Sequence, residues 1–229
     1  MRYAGQHGAI HPSQANLLRF GFDFCMIIIM RKASATSTNF RTAAKEVSHE
    51  RIVDAAARAI RRSGYDGTGV ADIMKEAGLT HGAFYAHFAS REAMLAEAAD
   101  RAGAQANAAA TSVVAAVAPE QALHSLIRSY LSKEHLQGIE TGCPTSALGS
   151  EMPRQSPEVR RVATRRIKEM IDLVARQLPD WGQPSAHERA LVTVATMVGT
   201  LVLARAVDDS ALSDALCDAA LKNLAPAEA

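Results

Sequence analysis

The most constraining feature of this sequence is that its segments beyond about residue 48 have helical spacing, and none alternates like a β-strand. Apolar residues recur at intervals of three and four, and glycine or proline interrupts the pattern, as at Gly64, Gly78, Pro119 and Pro157. Alanine, the residue with the highest helix propensity, is abundant, and aromatic residues make up only 5% of the chain. The sequence therefore predicts an all-α fold.

Composition excludes several classes of protein. With 229 residues and 48% hydrophobic content, the chain can bury one large core or two small ones without metal or disulfide support. The three cysteines, Cys25, Cys143 and Cys217, are widely spaced and form no C-x-x-C pair. This spacing excludes a disulfide scaffold and a cysteine zinc finger and is typical of a cytoplasmic protein. We also expect no metal and no cofactor.

The amino-terminal region carries a local excess of positive charge. Between Arg31 and Arg62 there are eight basic residues and three acidic ones, although the whole chain is nearly neutral, with 25 Lys and Arg against 24 Asp and Glu. Two interpretations stay open, a solvated helix face and a flexible basic arm ahead of a DNA-binding helix.

An apolar run of eleven residues, 20–30, precedes this basic region. It is shorter than the 17–25 residues that span a bilayer. Residues 33–35, Ala-Ser-Ala, resemble a signal-peptidase site, but Arg31 and Lys32 lie where a secretory signal tolerates charge poorly. We expect the working protein to start at Met30 and residues 1–47 to be a poorly ordered or mis-assigned extension, with secretion as the alternative.

Three short helices are predicted next. The first begins near Ser48, and its core stripe comprises Ile52, Ala56, Ala59 and Ile60. It ends at Gly64, and Thr68 is the expected N-cap of a second helix over 69–77, whose core residues are Val70, Ile73 and Met74. That helix stops at Gly78. Thr80 is expected to cap a third helix over 81–88, and Ser90 a fourth that begins at Arg91.

The third helix has an unusual outer face. At 100° per residue, Phe84 and Phe88 point to the core, and the small residues Gly82, Ala83 and Ala86 lie opposite. A solvated face normally carries Lys and Glu, whereas a face of glycine and alanine lets the backbone approach base edges in a major groove. Tyr85 and His87 flank this face and are placed to bond phosphates, as is the helix N-terminus behind Thr80.

The run GLTHGAFYAHFASREAML at residues 78–95 resembles the recognition-helix signature of the TetR family of transcriptional regulators. Residues 52–56, 64–68 and 73–78 are in register with it, so the resemblance covers about residues 48–100. It implies an all-α homodimer in which residues 48–104 bind DNA and residues 105–229 bind an effector and dimerise. It also implies phosphate contacts by Thr68, Thr80, Tyr85, His87 and Arg91, and base contacts by His81, Gly82 and Ala83.

Further along the chain, residues 185–207 form a predicted helix that starts at a capping box, Ser185 to Glu188, and is apolar on almost every side. The fifteen residues between Arg189 and Arg205 are apolar except for three threonines and a glycine, and they fall short of a membrane span. One side therefore faces the protein and the other a partner, unless the helix is the centre of a monomeric bundle. Together with residues 210–224, and as the resemblance implies, it would form a four-helix dimer interface that includes Val194, Val198, Leu201, Val202 and Leu216.

An effector pocket is predicted between two other helices. Leu126 and Tyr130 face Met170 and Val174, a pattern that a simple core also produces. Residues 142–149 connect these helices and mix small, polar and thiol groups. Cys143 is therefore a candidate for a pocket wall or a redox trigger, with an inert buried cysteine as the alternative.

Taken together, these features predict a regulator that binds a palindromic double-stranded operator as a homodimer, most simply a repressor that an unidentified small molecule releases. A redox-responsive regulator that uses Cys143 is the first alternative. An all-helical enzyme would have to combine Cys143 with His124 or His135 and with Glu134 or Glu151, and these residues have no known catalytic spacing. A helical dimer that has lost DNA binding is the third alternative.

Overall fold

A computed structural model describes residues 42–224, and within that range the chain is helical with no β-strand. The all-α prediction is confirmed. The chain divides into two compact units, residues 1–48 and 49–229. Of the first unit, residues 42–48 are described and are helical, so the expectation that ordered structure begins near Ser48 is wrong. Good helix formers at residues 43–46 (Ala-Ala-Lys-Glu) explain the earlier start. The predictions for Met30, the apolar run and residues 1–41 lie outside the described residues.

The first two amino-terminal helices end close to the glycines that the sequence analysis identified. Helix α1 is helical over residues 42–63, α2 spans Val70–Glu76, a 3-10 helix (η1) spans His81–Ala86, and α3 spans Arg91–Ala115. Gly64 and Gly78 have φ angles of 77° and 70°, the left-handed conformation that ends helices and that glycine adopts without strain. Ser90 caps α3 as predicted, because its hydroxyl accepts the Ala93 N–H at 3.1 Å.

One predicted cap and one predicted helix type are wrong. Gly69 is the N-cap of α2, and the Thr68 hydroxyl turns inward to donate to the Gly64 carbonyl at 2.7 Å. Thr80 is the N-cap of η1, as expected, but its side chain makes no capping bond. The third helix is a 3-10 helix rather than an α-helix and ends at Ala86. Its side chains therefore repeat every three residues, which changes the face that each one occupies.

Each of the remaining helices begins at or next to a proline or a serine, the residues that favour a helix start. Their bounds are α4 Pro119–Tyr130, α5 Lys133–Gln137, α6 Pro144–Leu148, a 3-10 turn Met152–Arg154, α7 Pro157–Ala175, α8 Pro184–Ala206 and α9 Ser210–Leu224. Ser156 caps α7 through the Val159 N–H. The capping box predicted at Ser185 is wrong. Helix α8 begins one residue earlier at Pro184, and the Ser185 hydroxyl donates to the Asp180 carboxylate at 2.6 Å.

Two clusters of buried side chains fill the second unit. One joins α1, α2, Phe84, Phe88 and the first half of α3 to Leu148 and Val159, and it includes the predicted stripe of α1. The other lies among α4, α7, α8 and α9 and includes Leu126, Met170 and Val174. Helix α3 packs mainly on α7 and α4, and α8 packs on α9 and α7. The division at residue 104 falls inside the continuous helix α3 and stays a prediction.

Candidate functional site

The outer surface of η1 is the first candidate site. Phe84 and Phe88 are buried in the first cluster, as predicted, and anchor the 3-10 helix from beneath. On the other side Tyr85 is 72% exposed, and a Cβ added at Gly82 would meet no atom within 4 Å. In a 3-10 helix residues three apart share a face, so Gly82 and Tyr85 lie on the same outward edge. Among residues 42–224, no residue covers this edge, so the wall of a DNA groove could lie against it.

Other residues of this segment lie closer to the core than the α-helical wheel predicts. Ala83 is half-buried and packs against the first cluster, so placing it fully outward is wrong. His87 is also half-buried, with its ring 5.8 Å from that of His49. In 3-10 geometry His87 shares the inner side with Phe84, which explains its partial burial. His81 remains exposed, and its ring meets that of Tyr85 edge-on at 6.3 Å.

Two of the predicted phosphate-binding side chains are occupied inside the protein. Thr68 is buried and donates to backbone carbonyls, so its hydroxyl is not available at the surface. The Arg91 guanidinium donates to the carbonyl of Tyr65 and, at 3.2 Å, to that of Thr68. Both residues therefore clamp the turn between α1 and α2, and the sequence-based phosphate role is corrected for both side chains.

The basic residues of α1 do not form a free positive patch. Arg58 and Arg62 both pair with Glu76 of α2, at 2.9 and 3.2 Å. Arg61 is only 3% exposed. Of the described basic residues in this region, Lys45, Arg51 and Arg62 are exposed, and Arg62 is the one paired with Glu76. The basic residues before residue 42 lie outside the described range.

A partly open cavity of about 290 Å³ is the second candidate site. It lies among α3, α4, α7 and the segment from Ser132 to Cys143, and all five side chains that the sequence nominated for a pocket line it: Leu126, Tyr130, Cys143, Met170 and Val174. Helices α3 and α7 contribute mainly alanine, valine, leucine and methionine, so most of the wall is apolar. Polar groups gather at the end formed by residues 129–143.

His135 organises this polar end. Its Nδ1 lies 2.6 Å from the Tyr130 carbonyl, which can only accept, and its Nε2 accepts the backbone N–H of Cys143 at 2.9 Å. Since Nδ1 must carry the proton and Nε2 must not, the imidazole is held neutral, and burial lowers its pKa in the same direction. Both nitrogens are therefore engaged, and His135 is not placed to act as a base toward the Cys143 thiol.

Two arginines hold the same segment from outside the cavity. Arg205 of α8 donates to the carbonyls of His135 and Leu136 and, at 2.9 Å, to the Ser146 hydroxyl. Arg61 of α1 donates to the Gly142 carbonyl at 3.3 Å. Burial lowers the pKa of both guanidiniums, because neither gains a carboxylate partner in the described part of the chain.

The segment that forms part of the cavity wall also bonds to the end of α1 and to the turn that follows it. Beside the bond from Arg61 to Gly142, Arg62 pairs with Glu140 at 3.0 Å. Farther along, the Glu151 carboxylate accepts the Tyr65 N–H at 2.8 Å, in the turn that Arg91 clamps. Residues 138–151 thus touch both the cavity and the end of α1.

The outward face of α8 is the third notable surface. Val194 and Leu201 are buried within this chain, so their prediction as interface residues is wrong, while Val198 and Leu216 are half-buried. Val202 is 42% exposed and belongs to an apolar stripe at helical spacing that comprises Leu191, Val192, Ala195, Gly199, Val202, Leu203 and Ala206. Helix α8 has 23 residues, and the mean hydropathy of its 18-residue apolar window is 1.4, so by length and composition it is long and apolar enough to cross a membrane. Core helices of soluble proteins meet the same criterion.

Comparison with known proteins agrees with this arrangement. Residues 52–98 match the family of bacterial regulatory proteins named after TetR, and residues 119–216 match the C-terminal domain of LmrA/YxaF-like transcriptional regulators. An uncharacterized HTH-type transcriptional regulator of Mycobacterium tuberculosis is 31% identical over 188 residues, which cover 78% of this chain and 94% of the relative. The chain belongs to the TetR family of transcriptional regulators. The resemblance predicted from residues 78–95 is confirmed.

Solved structures share the fold of this TetR-family protein. The reduced form of Escherichia coli NemR superposes with a TM-score of 0.67 at 19% identity, covering 78% of this chain and 95% of that one. A TetR-family regulator from Agrobacterium tumefaciens gives 0.66 at 20% identity, covering 79% and 98%. At these identities the likeness establishes the fold alone.

Sequence reasoning missed the residues that join the sites of this TetR-family regulator. Arg61, Arg205 and Glu151 each bond to a backbone group far away in sequence. For the two arginines, the local signal was a charged residue within or at the end of an apolar stripe. That signal identifies a residue that must find partners but does not identify the partners.

Proposed function

We propose that this TetR-family regulator is a cytoplasmic repressor that binds a palindromic operator as a homodimer and is released when a small molecule occupies the 290 Å³ cavity. The observation that carries DNA binding is the bare outer edge of η1. An exposed edge of Gly82 and Tyr85 over buried Phe84 lets the backbone approach base edges closely.

Within this surface we assign roles to the side chains that are exposed. His81 and Gly82 face bases, and Thr80 and Tyr85 face phosphates on either side of the groove. Ala83 is near enough to the surface to contribute a methyl contact. His87, half-buried beside His49, supports Phe88 from the core side and has a smaller part in binding.

Dimerisation follows from the exposed apolar stripe of α8. We assign its cover to a second copy of this chain, because Gly199 and Ala195 leave the helix surface flat and a Cβ added at Gly199 meets no atom within 4 Å. The same stripe on both copies is self-complementary around a two-fold axis. Two η1 elements then address half-sites about one turn of DNA apart.

Release by an effector requires that the effector bind one conformation better than the other. Residues 138–151 supply a direct connection, since three of them, 141–143, line the cavity and the segment bonds to Arg61, Arg62 and Tyr65. A ligand that displaces Thr141 to Cys143 would pull on the end of α1. The spacing between the two η1 elements would then no longer match the operator.

The competing functions are less well supported. An enzyme based on Cys143 would need a nearby base, but both nitrogens of His135 bond to backbone groups and Glu151 accepts the Tyr65 N–H. Cys143 is a buried free thiol, which disfavours direct oxidation, so the redox alternative is not favoured. Cys217 is also buried, and burial raises its pKa.

Selection of bound duplexes from a random pool by the full-length protein tests the DNA-binding part. The expected result is a palindromic consensus with half-site centres about one helical turn apart. A Gly82→Leu variant is the matched control. Its added side chain would project into open space and leave the fold intact, but it would keep the η1 backbone away from the base edges. Selection with this variant should recover no consensus. A wild-type pool without enrichment at low salt, or one without symmetry, would contradict the proposal.

A further inference from the structure

A second cavity, called here the α7 cavity, lies against the amino-terminal half of α7 and has a volume of about 300 Å³. It shares no lining residue with the 290 Å³ cavity. Its walls come from α3, α6, the 3-10 turn before α7, one side of α7 and the turn between α1 and α2. Tyr65, Ala99 and Gly103 are buried and close its inner end, whereas Arg160 and Thr164 are exposed on its open side. The α7 cavity is therefore a separate space that solvent can enter beside α7.

Most of the surface inside the α7 cavity is apolar. Ala163 and Ile167 are half-buried and share one side of α7 with Arg160, because these residues are three and four positions apart. Met152 and Ala99 supply hydrocarbon surface from the neighbouring elements. A volume of about 300 Å³ is at the lower end of the range for small-molecule sites. The α7 cavity is thus suited to one compact apolar body.

Two arginines line the α7 cavity, and no aspartate or glutamate among residues 42–224 does. Arg166 is already paired, with Asp100 at 2.7 Å and with Glu169 at 2.8 Å. The side chain of Arg160 has no ion pair and no hydrogen bond within residues 42–224, where only its backbone N–H and carbonyl form hydrogen bonds. The lining therefore contains one positive charge without a counter-ion.

The surroundings of Arg160 are also positively charged. Residues 154–168 contain six Arg and Lys residues and one acidic residue, Glu158. Of these six, Arg165 and Arg166 are the ones that form ion pairs in the described part of the chain. Glu151, which precedes the 3-10 turn, accepts a backbone N–H of the turn between α1 and α2 and does not line the α7 cavity. The local field therefore attracts anions to the open side of the cavity and repels cations.

We propose that the α7 cavity is a second ligand site and that its ligand is an apolar carboxylate, with a compact hydrocarbon body inside the cavity and a carboxylate that accepts two N–H bonds from Arg160. A single unpaired guanidinium matches the one charge and the two oxygens of a carboxylate. A phosphate monoester would keep a negative charge without a partner. This inference goes beyond the proposed function, because it depends neither on the 290 Å³ cavity nor on operator binding.

Calorimetric titration of the DNA-free, full-length protein tests the ligand class with three probes that share one fused-ring body: naphthoate, naphthamide and naphthylmethylamine. We expect naphthoate to bind about tenfold more tightly than naphthamide, because a hydrogen bond between two charged groups is stronger than one to a neutral acceptor. The amine should bind most weakly, since its charge has the same sign as that of Arg160.

Two substitutions that remove a positive charge test the role of Arg160. Arg160→Gln should weaken naphthoate binding about tenfold and leave naphthamide binding unchanged, because the amide has no charge to pair. Arg161→Gln is the matched control, the same change at the neighbouring exposed arginine, which does not line the α7 cavity. It should leave the affinity for both probes unchanged.

Two substitutions that fill space identify the cavity that is occupied. Ala163→Leu places a larger side chain in the α7 cavity and should weaken the binding of naphthoate and naphthamide by about tenfold or more. Ala110→Leu is its control, the same change at a half-buried alanine that lines the 290 Å³ cavity, and it should leave naphthoate affinity unchanged. Circular dichroism checks the fold of each variant. If Ala163→Leu fails to fold, the two arginine variants still test the site.

Equal affinity for acid and amide, tighter binding of the amine, or unchanged naphthoate binding by Arg160→Gln would each overturn the proposal. Loss of naphthoate binding in Ala110→Leu instead of Ala163→Leu, or failure of naphthoate to bind the wild-type protein, would overturn it as well. Because the titration contains no DNA, these outcomes are separate from those of the duplex selection, which alone decides whether the protein recognises an operator.

Discussion

Substitutions at two neighbouring residues of α8, Leu201 and Val202, can distinguish core packing within one chain from dimerisation of two chains. Leu201 is completely buried, whereas Val202 is 42% exposed and lies on the apolar stripe. Leu201→Ala should therefore remove core packing and cost about 3–5 kcal/mol of unfolding free energy. For a protein of this size that loss lowers the melting temperature by roughly 10 °C.

Val202→Lys should act on the dimer instead. The isolated chain already exposes this side chain, so the folded protomer loses little. In a two-fold interface the change occurs twice and brings two like charges together, at a cost of about 2 kcal/mol per copy. The total of about 4 kcal/mol corresponds to about a thousandfold rise in the dimer Kd.

Sedimentation equilibrium and thermal unfolding distinguish the two effects. Leu201→Ala should remain dimeric at micromolar concentration and melt early, and Val202→Lys should sediment as a helical monomer that binds operator DNA weakly. Ala108→Lys, at an exposed position of α3, is the control for an added charge and should change neither property. An unchanged dimer Kd for Val202→Lys would refute the assignment of the α8 stripe to a second copy.

Three further predictions address the DNA-binding surface and acid stability. Tyr85→Phe should weaken binding to all sequences alike in gel-shift titrations, whereas a changed sequence preference would contradict its phosphate role. Arg91→Ala should lower the free energy of unfolding by about 2 kcal/mol, because its hydrogen bonds to two carbonyls are lost. The salt dependence of DNA binding should stay constant. A salt slope smaller by about one would instead show that Arg91 contacts a phosphate. Burial alone would raise the pKa of Asp100, but hydrogen bonds from Arg166 and Arg165 lower it. Its stabilising contribution is present at neutral pH and is lost as the pH falls through the folded-state pKa, so Asp100→Asn should flatten the acid limb of the stability profile.

The sequence by itself determined the helical class, the family and the main helix boundaries. These follow from local rules: apolar spacing of three and four, glycine at Gly64 and Gly78 where φ is positive, and Ser90 as an N-cap. The five side chains that the sequence predicted for a pocket all line the cavity. The prediction succeeded because the inward-facing stripes of neighbouring helices line the space between those helices.

Only the tertiary structure decided which side of each helix is free and which polar groups meet. The α-helical wheel misplaced Ala83 and His87 because η1 is a 3-10 helix, and it could not separate Leu201 from Val202 on a helix that is apolar all round. The bonds from Arg61 and Arg205 to the cavity wall join residues 59 to 81 positions apart. Such contacts depend on how helices pack in space, and no local sequence preference encodes them.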